Sequence, residues 1–551
     1  MQLSRRRFGQ AALAAALAGC GARGDVDLII HGGPIYTGGA AQPRVEALRI
    51  SNGAIAFAGA LDQARSRASG AREINLNGAA GFPGFTDAHV HLAGVGMQSM
   101  RLDLTGVASI AALQESLRTY AAAHPEGAIV GRGWIETHWP ERRFPTRADL
   151  DAVVSDRPVF LERIDGHAAV VNSAALALAR IDANTADPAG GRIERDAGGA
   201  ATGMLIDNAT GLVERALPAP TTAMVRDALR GGARLYASRG WVGVCNMSTS
   251  AEEAALFREL AAAGEMPLRA DLYLEPENAT RTAELQASPD AHVRIRGVKL
   301  YMDGALGSRG AALLAPYNDM PSTSGLLVTP VEELRDHLRR ARQAGYQVAT
   351  HAIGDGGNRL VLDAYRDAFA DDPSALAAAR WRIEHAQIIA PEDIPRFAQM
   401  GVIASMQPSH AISDLHFAPA RLGASRLAGA YAWRALLDSG AVIAAGSDAP
   451  VEKGDPLIEF YAAAHRHDLT GFAGPDWGLD QAVNRDQALR MLSWAPAFSV
   501  FEEEARGTLE VGKRADVSAF SVDLMEAEPA AIPTAQPVLT ISDGVVTHDA
   551  V

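Results

Sequence analysis

The sequence predicts an α/β fold centred on a closed (β/α)8 barrel, and three observations predict it. Apolar runs ending in polar residues recur near 80–86, 241–247, 268–274, 295–303, 347–353, 381–389, 402–408 and 442–447. Helical patterns lie between most of them, as at 331–344, 357–370, 391–400 and 431–439. Repeated βα units imply a parallel sheet, and eight of them imply a closed, TIM-like barrel. The third observation is an anomaly, a gap of roughly 150 residues between the first two runs, far longer than a structureless loop. Residues 100–223 are therefore expected to be a subdomain inserted between strands one and two of a barrel spanning 81–504.

The chain opens on Ser4-Arg5-Arg6-Arg7-Phe8, followed by an Ala-rich stretch ending in Leu17-Ala18-Gly19-Cys20. A charged start, a short apolar middle and small residues at a cut point read as an export signal. The stretch falls short of the roughly 20 apolar residues a membrane span needs. The arginine pair is similar to a twin-arginine signal, and the last four residues to a lipobox, in which Cys20 is lipidated. Residues 1–20 are expected to be removed or lipidated on export, leaving a periplasmic lipoprotein held at the membrane only by its anchor.

Beyond the signal, Asp27-Leu28-Ile29-Ile30 and Ala47-Leu48-Arg49-Ile50 have the pattern of short strands between Gly and Pro. The far end repeats it, with Ala515 to Phe520 and a hairpin from Pro537 to Val546. Two β-rich ends around a different middle predict one composite β-sandwich domain of residues 25–80 plus 505–551.

Composition narrows the function. The 551 residues carry 51 Lys and Arg against 65 Asp and Glu, a net charge of −14 with no basic tract, which argues against nucleic acid as a partner. Two cysteines, Cys20 and Cys245, make no disulfide framework. The reading is an enzyme with a small-molecule substrate, its oligomeric state left open.

The chemistry begins at Pro83-Gly84-Phe85-Thr86-Asp87-Ala88-His89-Val90-His91. Histidines at i and i+2 on a strand share a face and can grip one cation. His465 and His467 have the same spacing within a helical pattern, where the side chains diverge, so they read as surface residues. Ligand-type residues recur at the ends of later runs: Lys299, His351, His385 and Asp448. Strand C-termini of a barrel converge on one mouth, where active sites lie. Asp303 and Arg309 either line a substrate pocket after strand four or form a salt bridge fixing that loop. Trp134 and Trp139 read as core of the insert. Gln407 and His410 follow strand seven and face the mouth on this reading.

As a set these motifs resemble the amidohydrolase superfamily, in the branch called amidohydrolase family 3 that includes N-substituted formamide deformylase-like proteins. The resemblance runs through Gly84 to His91, Asp165-Gly166-His167 with Asn172-Ser173, Gly297 to Gly304, His351 to Asp355, Glu384 to Gln387, Gly446 to Pro450 and Gly512 to Asp516. It implies His89 and His91 as ligands of one metal ion and His351 and His385 as ligands of a second. It makes Asp448 a ligand beside the reactive water and the general acid/base. Lys299, carboxylated by CO₂, would bridge the ions; the alternative is an ordinary lysine paired with Asp303 and a single ion. His167 reaches substrate by resemblance, or is a structural loop histidine. The ligand set suits two Zn²⁺ and also admits Mn, Fe, Co or Ni. The expected activity is hydrolysis of a non-peptide C–N bond. The alternatives are a lactone or ester hydrolase on the same site, and a non-catalytic solute-binding lipoprotein.

Overall fold

The computed structural model describes residues 27–551 apart from 69, 137–138, 164–167, 189–190, 278–291 and 476. Residues 1–20, expected to be an export signal ending at Cys20, and His167 lie outside the described residues. Two compact units are present: Ala93–Gly232, and the remainder of the chain.

The larger unit contains the barrel. Its eight parallel strands are Phe85–Val90, Trp241–Thr249, Arg269–Leu274, Val293–Tyr301, Gln347–Ala352, Arg382–His385, Ile403–Met406 and Ile443–Ala445, hydrogen-bonded in chain order. Several are buried along their whole length, as parallel strands covered on both faces must be. The helices between them bury one stripe. Val331–Ala344 turns Leu334, Leu338 and Ala341 inward and stops at Gly345, whose φ of 71° closes the helix in the left-handed region.

The last strand meets the first without a regular ladder, and Asp87 closes the seam. Its carboxylate accepts the backbone N–H of His89 at 3.0 Å and of Ser447 at 2.9 Å, and the Ser447 hydroxyl at 2.6 Å. Gly446 makes this approach feasible, because a Cβ there would lie 2.4 Å from the His89 nitrogen.

The chain termini form one eight-stranded sheet. Strands Leu28–Tyr36, Arg44–Ser51 and Ala54–Gly59 pair through Ala80–Pro83 with Val517–Phe520, Pro537–Ser542 and Val545–Asp549, and Arg72–Asn75 flanks Leu28–Tyr36. A single core joins Ile30, Leu48 and Ile74 to Val517, Leu539 and Ile541. This sheet also takes Ala80–Pro83, which the sequence reading gave to the barrel; the first barrel strand starts at Phe85 instead. Gly84 makes the crossing between the two, since a Cβ there would meet Val242 at 2.6 Å and Asp516 at 2.8 Å.

The smaller unit starts earlier and ends later than 100–223. It holds a six-stranded sheet ordered Gly191–Arg195, Ala201–Asp207, Ala168–Val171, Val159–Arg163, Ile129–Trp134 and Leu102–Asp103. Trp134 and Trp139 lie in its core, their indole N–H groups donating to the carbonyls of Leu161 and Val107. Asn172 is fully buried and spends its amide on Val154, Arg157, Val159 and Ala175.

Candidate active site

The strand ends bring His89, His91, His351, His385 and Asp448 together. Parallel register sets Tyr301 beside His351 and Ala352 beside His385. Two of the residues leave their strands in the left-handed region, His385 at φ 73° and Asp448 at φ 57°. Each such conformation costs on the order of 1–3 kcal/mol, and such strain is typically found at functional sites. Asp448 is the hub. Its Oδ1 lies 3.3 Å from Nε2 of both His89 and His91, and its Oδ2 lies 4.0 Å from His385 Nδ1 and 3.7 Å from His410 Nε2. The rings of His89 and His351 lie 4.7 and 4.6 Å from that of His385.

Proton placement follows from the partners. His89 Nδ1 lies 2.6 Å from Glu384 Oε2, and an ionised carboxylate only accepts, so Nδ1 carries the hydrogen. Burial opposes ionisation of Glu384, but the Arg382 guanidinium at 2.8 Å outweighs it and holds the acid at about 2. His385 likewise donates Nδ1–H to Gln407 Oε1 at 2.8 Å. Burial pushes His89 down to about 4 and His351 to about 3, and His385 well below the usual range, so these imidazoles are neutral at pH 7. Burial also opposes ionisation of Asp448, yet its carboxyl is held well below the usual carboxylate range, with the hydrogen bond to His91 among the causes.

Lone pairs therefore face a carboxylate. The Nε2 atoms of His89 and His351 are buried with no hydrogen-bond partner. His89, His385 and Asp448 each bring a ligand-type atom within 4.8 Å of the others. Neutral imidazole nitrogens and a carboxylate converging in this way fit a divalent cation.

Residues 72–548 match the sequence profile of the amidohydrolase family. The chain belongs to the amidohydrolase family. This amidohydrolase is 33% identical to YtcJ of Bacillus subtilis (strain 168) over 95% of its own length and 99% of the relative's. It is similar to the N-substituted formamide deformylase of Arthrobacter pascens, 29% identical over 95% of this chain and 98% of that one. Among solved structures it is similar to an uncharacterized metal-dependent hydrolase from Pyrococcus furiosus, with a TM-score of 0.75 and 30% identity. That match covers 91% of this chain and 100% of the other.

The other sequence-predicted residues of the amidohydrolase divide. Lys299 is 1% exposed, and burial pushes its ammonium down to about 8. Among the described residues it has no ion pair with Asp303; its Nζ lies 5.0 Å from the Tyr301 ring. Asp303 is not paired with Arg309. Its carboxylate accepts backbone N–H groups of Ala312, Ile353 and Gly354 at 2.8–2.9 Å, tying the loop after strand four to the end of strand five. Its Oδ1 also lies 3.7 Å from His351 Nε2. Arg309 points elsewhere and pairs with Asp319 at 2.9 Å. His465 and His467 are half-buried, not surface residues, and flank Arg466, which is buried on the carbonyls of Trp477, Tyr431 and Ala430.

Three supporting groups had no role in the sequence reading. Glu384 and Arg382 lie inside the barrel behind His89, and Asp87 closes the seam beneath it. Glu384 and Arg382 stand at i and i−2 on one strand, a spacing that places both on one face. That spacing was visible, but the partner His89 lies 295 residues away.

Proposed function

We propose that this amidohydrolase cleaves a non-peptide C–N bond in a small amide or formamide-type substrate with the help of bound divalent metal. The observation that carries the reading is the pair His89 and Asp448. His89 has committed Nδ1–H to Glu384, so its unprotonated Nε2 faces a carboxylate at 3.3 Å. Two electron-rich groups held this close favour a cation between them.

His89, His91, His351, His385 and Asp448 supply the donors, and Lys299, once carboxylated by CO₂, supplies a further anion for a second ion. Zinc suits imidazole and carboxylate ligands, and Mn, Fe, Co or Ni can replace it. A divalent ion held there lowers the pKa of water toward neutrality and polarises the scissile carbonyl. Asp448 accepts the proton of the attacking water and returns it to the leaving nitrogen. The C–N bond breaks, and a carboxylic acid and an amine leave. Glu384 keeps His89 in one tautomer throughout, and the Arg382 charge keeps Glu384 ionised.

The relative that acts on N-substituted formamides supports an N-formyl or N-acyl amine as substrate. Matched N-formyl amines and formate esters of the same skeleton test the bond. Turnover of the amides by metal-loaded enzyme supports the proposal, and turnover of esters alone overturns it. We also propose that the protein is exported and anchored through Cys20. Cys20→Ala should then move it from the membrane fraction to the soluble periplasm, and a soluble wild type would reject the anchor.

A further inference from the structure

We propose that His410 is a catalytic residue that donates a hydrogen bond from Nε2 to the carbonyl oxygen of the scissile amide. The inference rests on the C–N hydrolase reading above. His410 lies in Pro408–Asp414, the helix that follows the seventh barrel strand, and is 7% exposed. Its Nδ1 lies 3.0 Å from Nε2 of Gln387. An amide nitrogen only donates, so Nδ1 accepts and the ring proton sits on Nε2. The neighbourhood favours the same tautomer, because Nε2 faces Asp448 Oδ2, and an anion attracts an N–H and repels a lone pair.

The Nε2–H group is buried and has no partner. At 3.7 Å the Asp448 oxygen is beyond hydrogen-bond range, so the donor is free for an atom placed beside that carboxylate. The contrast with His385 is what assigns the role. Those two rings lie 6.0 Å apart with 23° between their planes. Gln407 takes the Nδ1 proton of His385 and leaves its Nε2 a lone pair, whereas Gln387 gives a proton to His410 and leaves its Nε2 an N–H. Two glutamines thus set adjacent imidazoles in opposite states, one suited to a cation and the other to an oxygen gaining negative charge.

When water attacks, the new O–C bond forms and the carbonyl π pair moves onto oxygen, where the His410 N–H meets it. No proton is transferred to that oxygen. As the C=O bond re-forms, the C–N pair leaves on nitrogen, which takes the proton held by Asp448. A preorganised donor at this point acts on the transition state more than on the ground state.

The test uses full-length zinc-loaded enzyme with formanilide as probe, and reads kcat, KM, zinc content after dialysis and the thermal melt. His410→Ala should lower kcat by roughly 10²–10³ with KM nearly unchanged, the loss typical of one oxyanion donor. It should keep the wild-type zinc content. His410→Gln, whose amide can donate, should melt like wild type and recover part of the loss. Wild-type kcat in His410→Ala, a loss confined to KM, or loss of zinc would each overturn the assignment, the last by making His410 a ligand. A zinc-loaded wild type inert toward formanilide and other N-acyl amines would instead sink the parent reading, and this inference with it.

Discussion

Nδ1 of His89 lies 2.6 Å from Oε2 of Glu384, and neither side chain touches solvent. Behind the carboxylate, Arg382 donates to both Glu384 oxygens, to the Ala88 carbonyl and to the Ser405 hydroxyl. The arrangement fixes the orientation and tautomer of one imidazole from inside the barrel, where no water competes.

Glu384→Gln should weaken metal binding by about 10–100-fold, the usual effect of losing the carboxylate behind a ligating histidine. A competition titration with a chromophoric chelator measures it without reference to turnover. Unchanged affinity would show that His89 is held by packing alone.

Asp448→Asn separates proton transfer from shape. It keeps an oxygen facing His89 but cannot accept a proton at neutral pH, so kcat should fall by something like 10²–10⁴. Metal content, read by elemental analysis, should largely persist. An undiminished rate would remove Asp448 from the proton path.

Far from the mouth, Asp271 tests the frame. It is 1% exposed and accepts from Arg294, Arg296 and Arg506 at 2.9–3.2 Å. Burial pushes its carboxyl up, but the three guanidinium charges outweigh it and hold the acid at about 2. A folded value below the ordinary 3.8 makes the stabilisation complete above that pH and lost as pH falls toward 2. Asp271 should therefore contribute about 2 kcal/mol to the loss of stability across that acid window, and the drop in Asp271→Asn should be smaller by that amount. At neutral pH the variant should be destabilised by roughly 3–5 kcal/mol, because it leaves buried arginines without their counter-charge. Denaturant melts at several pH values provide both numbers.

Much of the barrel was legible because each βα unit repeats the same two periods, apolar strand then amphipathic helix. The ligand-type residues were legible because they end those strands, where backbone direction alone brings them together. What sequence could not supply was partnership across long separations. Asp303 and Arg309, close in the chain, read either as pocket residues or as a salt bridge, and the loop turns Arg309 toward Asp319 and leaves Asp303 to backbone N–H groups. Glu384 entered the sequence reading only within a motif, because its partner His89 lies 295 residues away. Ala80–Pro83 and Phe85–Val90 are separated in the chain only by Gly84, and only pairing with Val517–Phe520 assigns the first to the terminal sheet.

Elemental analysis of the purified protein, paired with turnover of an N-formyl amine before and after chelation, shows whether bound metal carries the reaction. The protein should hold about two equivalents of divalent metal, with activity lost on chelation and restored by zinc. His89→Ala should lose both metal and activity, because it removes a buried donor with no replacement nearby. A single equivalent with unmodified Lys299 would retain the hydrolase as a one-ion enzyme. Full activity in protein stripped of metal would contradict the account.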